Sequence, residues 1–412
     1  MNLFEDLKWR GLIAQTAGDD IEDALNKGGL TFYLGVDPTG KSVHAGNLLT
    51  IMGAMRLTRA GHHPILLVGG GTGMIGDPSG KNAERNLLDA ETTKDNALRI
   101  LSQLKKLLPE ATFVNNYDWL SGMNVITFLR DYGKYLTVNY MMAKESVKKR
   151  IETGISYTEF SYQVLQSIDY LYLYEHYNCR LQVGGQDQWG NVTSGFELIR
   201  KSLGEDANAY CLTFPLLLKP DGTKFGKTAG GAVWLDPNLT SPYKFYQFWL
   251  GVSDEEVIQR LKQYTFLSKE EIEEVEAKWN EARELRYAQK VLAKEVTLIV
   301  HGKEGLEKAQ RITDAVFNGD VTKLSKEEIE DAFKDDKVVE VNEELNVVDL
   351  LALSGLAQSK SEARKLVQGG GVSLNGLKVT DIFYVVKKEN AIDNVYTFIK
   401  KGKKNHCLIK HL

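Results

Sequence analysis

The sequence predicts an α/β protein built on a doubly wound, mostly parallel sheet, followed by an α-helical region and a small α+β module. Three observations carry this. Up to about residue 220, strand-like runs (Thr31–Val36, Pro64–Val68, Arg180–Val183) alternate with helical patterns such as Thr92–Leu108 and Thr158–Tyr174, the βα alternation that places ligands at the carboxyl ends of parallel strands. After Pro242 the texture turns helical through residue 318; Ser253–Glu256, Ser268–Glu271 and Ser325–Glu328 each fit a capping box. The last 65 residues then combine Val347–Leu353, a capped helix Ser359–Val367, a Gly369–Gly371 turn and strands near Val372–Leu374 and Tyr396–Ile399.

Taken in order, the first informative stretch is Leu30–Thr58. A β-rich run, Thr31–Val36, meets the turn Asp37-Pro38-Thr39-Gly40-Lys41-Ser42, and His44-Ala45-Gly46-Asn47 leads into a helix with Leu48, Ile51, Met52, Met55 and Leu57 on a period near 3.6. Strand, turn and helix N-terminus is the geometry that offers backbone N–H groups and a positive dipole end to a phosphate. His44 and Asn47 add two side-chain donors there. The glycine-rich Gly69–Lys81 formally matches GxGxxG at Gly71, Gly73 and Gly76, but Asp77-Pro78-Ser79-Gly80 breaks the chain where a dinucleotide motif needs a helix. A Walker loop fails as well, since Asn82 follows Gly80-Lys81. Asp77 is left to meet a cation, while Lys81 and Arg85 suit anionic oxygen.

Asp118–Ile155 reads as a helical insertion rich in Tyr and Met, either core or a subunit contact. On the following helix Tyr162, Gln166 and Asp169 fall at i, i+4 and i+7, one polar face that is either a buried network or a ligand site. The strand from Arg180 ends in Gly184-Gly185 and then Asp187-Gln188, where a strand-end carboxylate commonly grips a ribose hydroxyl. In Asp221–Thr228, Lys224 and Lys227 flank Gly226, with Thr228 adding a hydroxyl; a surface turn and an anion site both fit. Ser325–Leu345 is acidic and poor in large apolar residues, a linker with one short helix.

Composition narrows the class. With 412 residues, 43% hydrophobic and 26% charged, the chain is an ordinary globular protein of two to three domains. No apolar run is long enough for a bilayer, and MNLFEDLKWRGL lacks the pattern of a signal peptide. Cys179, Cys211 and Cys407 form no CxxC and read as free thiols in a reducing cytoplasm. Charge is uneven: Gly355–Leu412 holds 11 Lys/Arg against 4 Asp/Glu, a balance of +7, which leaves −11 on the rest of a chain of net charge −4. A basic C-terminal module on an acidic body fits either a solvated face or a nucleic-acid contact.

Together the blocks resemble a known family. HAGN is similar to the HIGH signature of class I aminoacyl-tRNA synthetases, and KFGKT to their KMSKS signature. YLGVDPT, GGGTGMIGDPSGK, NNYDW, TEFSYQVLQSIDY, GGQDQWGN and DGTKFGKT, in that order, resemble the bacterial tyrosyl-tRNA synthetases over essentially the whole chain.

The resemblance implies a Rossmann-like class I catalytic domain at 1–239 with a dimerisation insertion at about 118–155, an anticodon-binding helical domain at 240–322, a linker at 323–347 and an RNA-binding module at 348–412. It implies a cytoplasmic homodimer that activates L-tyrosine with ATP and magnesium, then charges tRNA(Tyr). By position, Tyr33 and Asp169 match the groups that bind the substrate phenol. Asp77, Tyr162 and Gln166 match those that hold its ammonium, and Gln188 lies by the carboxyl. Gly35 and Asp37 match the segment beside the α-phosphate, and Asn47, Thr50, Gly185 and Asp187 the ribose contacts. Thr39, His44, Lys81, Arg85, Lys224, Lys227 and Thr228 match the groups that stabilise departing pyrophosphate. Asn47 replaces the second His of HIGH, and Phe225-Gly226 replace Met-Ser in KMSKS while keeping both lysines. A tyrosine-adenylating enzyme with another acceptor, or a non-catalytic RNA-binding paralogue, would share parts of this pattern; intact phosphate-contacting residues and an intact C-terminal half oppose both.

Overall fold

The computed structural model describes the chain except residues 81–87, 218–224, 229–230, 319–320, 335–337 and 403–404; at Lys227, Thr228 and Asn318 it describes the backbone alone. Two units divide the described residues: 1–239 with 252–292, and 240–251 with 293–412.

The first unit is organised by a six-stranded sheet of β1 (Gln15–Ala17), β2 (Thr31–Val36), β3 (His63–Val68), β4 (Thr112–Asn115), β5 (Cys179–Gly185) and β6 (Tyr210–Phe214), in the order β1-β6-β5-β2-β3-β4. All neighbours run parallel except β1, which pairs antiparallel with β6. The chain leaves β2 toward β3 and β4, then returns to its other side for β5 and β6. The seam between β2 and β5 is therefore a topological switch point, where the strand ends splay and leave a crevice. Phe32, Tyr33 and Leu34 on β2, and Leu181 and Val183 on β5, are buried, as strands covered on both faces require. A small hairpin pairs β7 (Lys227–Thr228) with β8 (Gly231–Ala232).

Two helices frame the crevice. Ala45–Arg59 is capped by His44, with Asn47 closing a capping box. Tyr157–Tyr177 is capped by Ser156 and stops at Asn178 in the left-handed region, φ 51°. Val164, Ile168 and Leu171 of that helix share one hydrophobic cluster with Tyr33, Ile65 and Leu67 of the sheet, while its polar residues Tyr162, Gln166 and Asp169 line the crevice.

The expected helical segment 240–322 is divided between the units. Helices Val257–Tyr264 and Lys269–Glu281 group with the sheet, held by Arg10, which donates to the carbonyls of Lys262 (2.9 Å) and Leu267 (2.8 Å), and by Arg56, which donates to that of Thr265. The capping box at Ser268 forms, as does that at Ser325. The one at Ser253 does not: the helix starts at Val257, because the Glu256 carboxylate pairs with Arg260 and Ser253 Oγ rather than with backbone.

In the second unit, a five-stranded sheet is built from β9 (Val338–Val341), β11 (Val372–Leu374), β12 (Leu377–Val379), β14 (Tyr396–Lys401) and β15 (Asn405–His411), in the order β12-β11-β14-β15-β9. A short pair, β10 (Leu345–Asn346) with β13 (Val385–Val386), lies outside it. Residues 323–347, expected as a linker, hold the expected short helix, Lys326–Ala332, but also β9, which pairs in parallel with β15. Alternation decides this: Val339 and Val341 are buried while Val338 and Glu340 face out, a two-residue period that average composition conceals.

Candidate functional site

A cleft of about 810 Å³ opens at the carboxyl ends of β2 and β5. Tyr33, Gly35, Asp37, Thr39, His44, Asn47, Thr50, Asp77, Tyr162, Gln166, Asp169, Gly185, Asp187 and Gln188 all line it. Of the other candidates, Lys81, Arg85 and Lys224 lie outside the described residues, and Lys227 and Thr228 are placed by their backbone in β7.

At the floor, Tyr33 is 2% exposed and its hydroxyl finds no partner among the described residues. Burial, then the nearby Asp169 carboxylate, push its pKa well above the ordinary phenol value. Asp169 accepts from Asn116 Nδ2 at 2.9 Å and Trp119 Nε1 at 2.8 Å. Burial raises its pKa to about 8 against the opposing pull of those two donors. Gln166 Oε1 is likewise buried without a partner among the described residues. A buried acceptor and hydroxyl left unpaired beside a carboxylate form a floor suited to a small polar molecule rather than a closed structural network.

The walls are tied by carboxylates. Tyr162 donates its hydroxyl to Asp37 at 2.8 Å, and Asp37 also accepts from Thr72 Oγ1 at 2.7 Å. Asp77 accepts from Gln188 Nε2 (2.7 Å), Asn191 Nδ2 (3.2 Å) and the Ser79 amide (2.9 Å). This cluster of carboxylate acceptors next to the Tyr162–Gln166–Asp169 helix face suits an ammonium group.

Asn116 and Trp119 belong to the NNYDW block, to which sequence reasoning assigned no role. Fully buried, Asn116 donates to both Thr72 and Asp169 and accepts the Gly71 amide at 2.8 Å. Trp119 stacks on Tyr172, centroids 4.4 Å apart. The adjacent Asn-Asn pair after a strand was the available signal.

The mouth corrects one expectation. The first N–H groups of the Ala45–Arg59 helix are not open to an anion: Ala45 donates to the Val233 carbonyl (2.8 Å), Gly46 to His44 Nδ1 (3.1 Å), and Asn47 to the His44 carbonyl (2.8 Å). The Val233 carbonyl takes the first of these amides and His44 the next two. Since Nδ1 accepts, the neutral His44 ring carries its proton on Nε2, and the helix end acts through that side chain and its dipole. Thr50 Oγ1 is bonded back to the Asn47 carbonyl at 2.8 Å, while Asn47 itself is exposed at the rim.

Comparison with known proteins matches the chain in two stretches. Residues 25–318 match the family model "tRNA synthetases class I (W and Y)", and residues 328–409 match "Tyrosine–tRNA ligase SYY-like C-terminal domain". The chain is 51% identical, over 419 aligned positions covering 100% of both sequences, to a tyrosine–tRNA ligase of Geobacillus stearothermophilus. It is 51% identical to tyrosine–tRNA ligase 1 of Bacillus subtilis (strain 168), covering 100% of this chain and 99% of that protein. Among solved structures, the C-terminally truncated mitochondrial tyrosyl-tRNA synthetase of Aspergillus nidulans is 30% identical with a TM-score of 0.68, covering 77% of this chain and 94% of that one.

Proposed function

The chain belongs to the class I aminoacyl-tRNA synthetases of the tyrosine–tRNA ligase family, and we propose from that premise that its cleft activates L-tyrosine with ATP and charges tRNA(Tyr). One observation carries the residue-level reading: the Tyr33 hydroxyl, unpaired among the described residues, and the Asp169 carboxylate lie at the floor of the same cleft whose mouth is the His44 turn. A phenol at the floor puts the amino-acid carboxylate midway and a triphosphate at the mouth.

In this reading Tyr33 and Asp169 read the phenol, Asp77, Tyr162 and Gln166 hold the ammonium, and Gln188 orients the carboxylate. That carboxylate attacks the α-phosphorus beside Gly35 and Asp37, the bond to the bridging oxygen breaks, and pyrophosphate leaves. Asn47, Thr50, Gly185 and Asp187 hold the ribose. Thr39 and His44, with Lys81, Arg85, Lys224, Lys227 and Thr228, offset the charge that grows on the leaving group. The tRNA 3′-terminal ribose hydroxyl then attacks the mixed-anhydride carbonyl and releases AMP. Catalysis is positioning plus charge stabilisation. Magnesium would enter with ATP and would offset charge on the phosphate oxygens, so no protein ligand is named for it. Tyrosine-dependent ATP–pyrophosphate exchange, followed by charging of a tRNA transcript, tests the proposal. No exchange with any amino acid would sink it, and exchange without charging would point to another acceptor.

The +7 C-terminal module is the proposed grip on the tRNA. Arg364 and Lys365 are exposed on the Lys360–Gln368 helix. Replacing both by alanine should weaken tRNA binding and lower the slope of log K against log salt by about 2, with exchange untouched; an equal loss of exchange would contradict the division of labour.

The insertion supplies the proposed homodimer contact, for Val125 (65%), Ile126 (64%) and Val138 (58%) stand exposed there. Sedimentation equilibrium should find a dimer that Ile126→Glu shifts toward monomer; a monomeric native chain would reject the contact. Among the described residues no helix is long and apolar enough to cross a membrane, and three buried free cysteines fit the proposed cytoplasmic setting.

A further inference from the structure

Behind Phe225 sits a brace that takes no part in the chemistry assigned above. Phe225 is 4% exposed, and its ring lies 5.8 Å from that of Tyr264. The Arg260 guanidinium carbon stands 4.6 Å from the Phe225 ring centroid. Arg260 is itself buried, aimed by its ion pair with Glu256 and a 2.9 Å bond to Gln263 Oε1, and a desolvated guanidinium over a ring is the stronger kind of cation–π contact. Tyr264, fully buried, donates at 3.4 Å to the Ala45 carbonyl, in the first turn of the helix that His44 caps.

The same turn receives the loop. Gly226 has φ +88°, and a Cβ there would lie 2.4 Å from the Gly46 nitrogen; a Cβ on Gly46 would lie 2.9 Å from the Phe225 carbonyl oxygen. Val233 donates to the Gly226 carbonyl at 3.0 Å, and Lys227 pairs with Ala232. Phe225 is thus the anchored end of a backbone whose next residues are Gly226 and Lys227.

We propose that Arg260 and Tyr264 are positioning residues for the pyrophosphate-releasing step: they clamp Phe225 and so hold the Gly226–Lys227 backbone against the His44 turn. The proposal rests on the reading that Lys227 acts on the leaving group. It has a specific signature, because the later transfer to tRNA involves no pyrophosphate.

In the full-length enzyme, Arg260→Met should slow tyrosyl-adenylate formation at least tenfold and slow its reversal by pyrophosphate equally. Tyrosine Kd should stay within twofold, and transfer from preformed adenylate to tRNA should keep its rate. Arg260→Lys, which restores a cation over the ring, should recover most of the loss. Phe225→Leu leaves the Arg260–Glu256 pair intact and carries the same selective loss, smaller in size, so a misfolded Met variant decides nothing by itself. Wild-type activation in Arg260→Met and Phe225→Leu would overturn the proposal, as would equal slowing of activation and transfer or a parallel rise in tyrosine Kd. Lys227→Ala serves as reference: if it activates at the wild-type rate, the reading of the lysine fails instead.

Discussion

Lys227→Ala should lower the single-turnover rate of tyrosyl-adenylate formation by about 10²–10³-fold, some 2.7–4 kcal/mol of transition-state stabilisation, while tyrosine affinity stays nearly unchanged. No nucleophilic side chain forms an intermediate in this reaction, so the rate depends on geometry and on the charge gathering on pyrophosphate as the α-phosphorus bond breaks. The structure removes one stabiliser from consideration, because the first amides of the Ala45–Arg59 helix are spent on Val233 and His44. On the proposed reading, side-chain cations such as Lys227 then share that stabilisation with the magnesium that accompanies ATP. The Lys227 backbone is fixed by its pairing with Ala232 and by Gly226 seated on Gly46, next to the mouth and at the end of the cleft opposite Tyr33 and Asp169. An interaction that strengthens only as charge develops lowers the rate when lost and leaves ground-state binding alone. Equilibrium titration of tyrosine beside rapid-quench kinetics makes the separation. A large rise in tyrosine Kd with an unchanged rate would place Lys227 in ground-state binding.

What could be seen in advance follows a physical line. Tyr162, Gln166 and Asp169 were legible as one polar helix face because helical periodicity is local, and β2, β3 and β5 because apolar runs between turns are local too. All three polar residues line the cleft. The partners of Asp169 were not legible: Asn116 and Trp119 lie 53 and 50 residues away, and only the packing of the β4 end against the Tyr157–Tyr177 helix brings them together. The same holds for the helix N-terminus. Whether the Ala45 amide is open depends on Val233, far along the chain, and no propensity encodes that, whereas the Gly46 and Asn47 amides are taken locally by the His44 cap. The grouping of 252–292 with the sheet depends on Arg10 and Arg56 reaching backbone carbonyls at 262–267, contacts that leave no compositional boundary. β9 was missed for the opposite reason: its signal is local but four residues long, and the acidic stretch around it outweighed it.

Asp169→Asn should weaken tyrosine binding by about 1.5–3 kcal/mol, the worth of a hydrogen bond to a charged group, and should also flatten its pH dependence. In the ligand-free protein burial lifts the Asp169 pKa to about 8, whereas an unfolded-chain aspartate ionises near 3.9. Between those values the folded state holds more protons than the unfolded one, so stability falls as pH rises across this window, and is constant in this respect below and above it. Tyrosine reverses the preference. On the proposed reading its phenol donates to the ionised carboxylate while Tyr33 donates to the phenol oxygen, so binding below the Asp169 pKa of about 8 should expel a proton, and affinity should climb with pH toward a plateau there. Asparagine keeps the shape and an acceptor but has no proton to release. The deficit of the variant should therefore be largest at alkaline pH and shrink as pH falls below the Asp169 pKa, and its stability should fall less steeply over the same window. Calorimetric titration in two buffers of different ionisation enthalpy counts the released proton directly. Wild-type affinity without pH dependence, or binding curves of variant and wild type that coincide at every pH, would mean that Asp169 orients Asn116 and Trp119 without itself meeting the phenol.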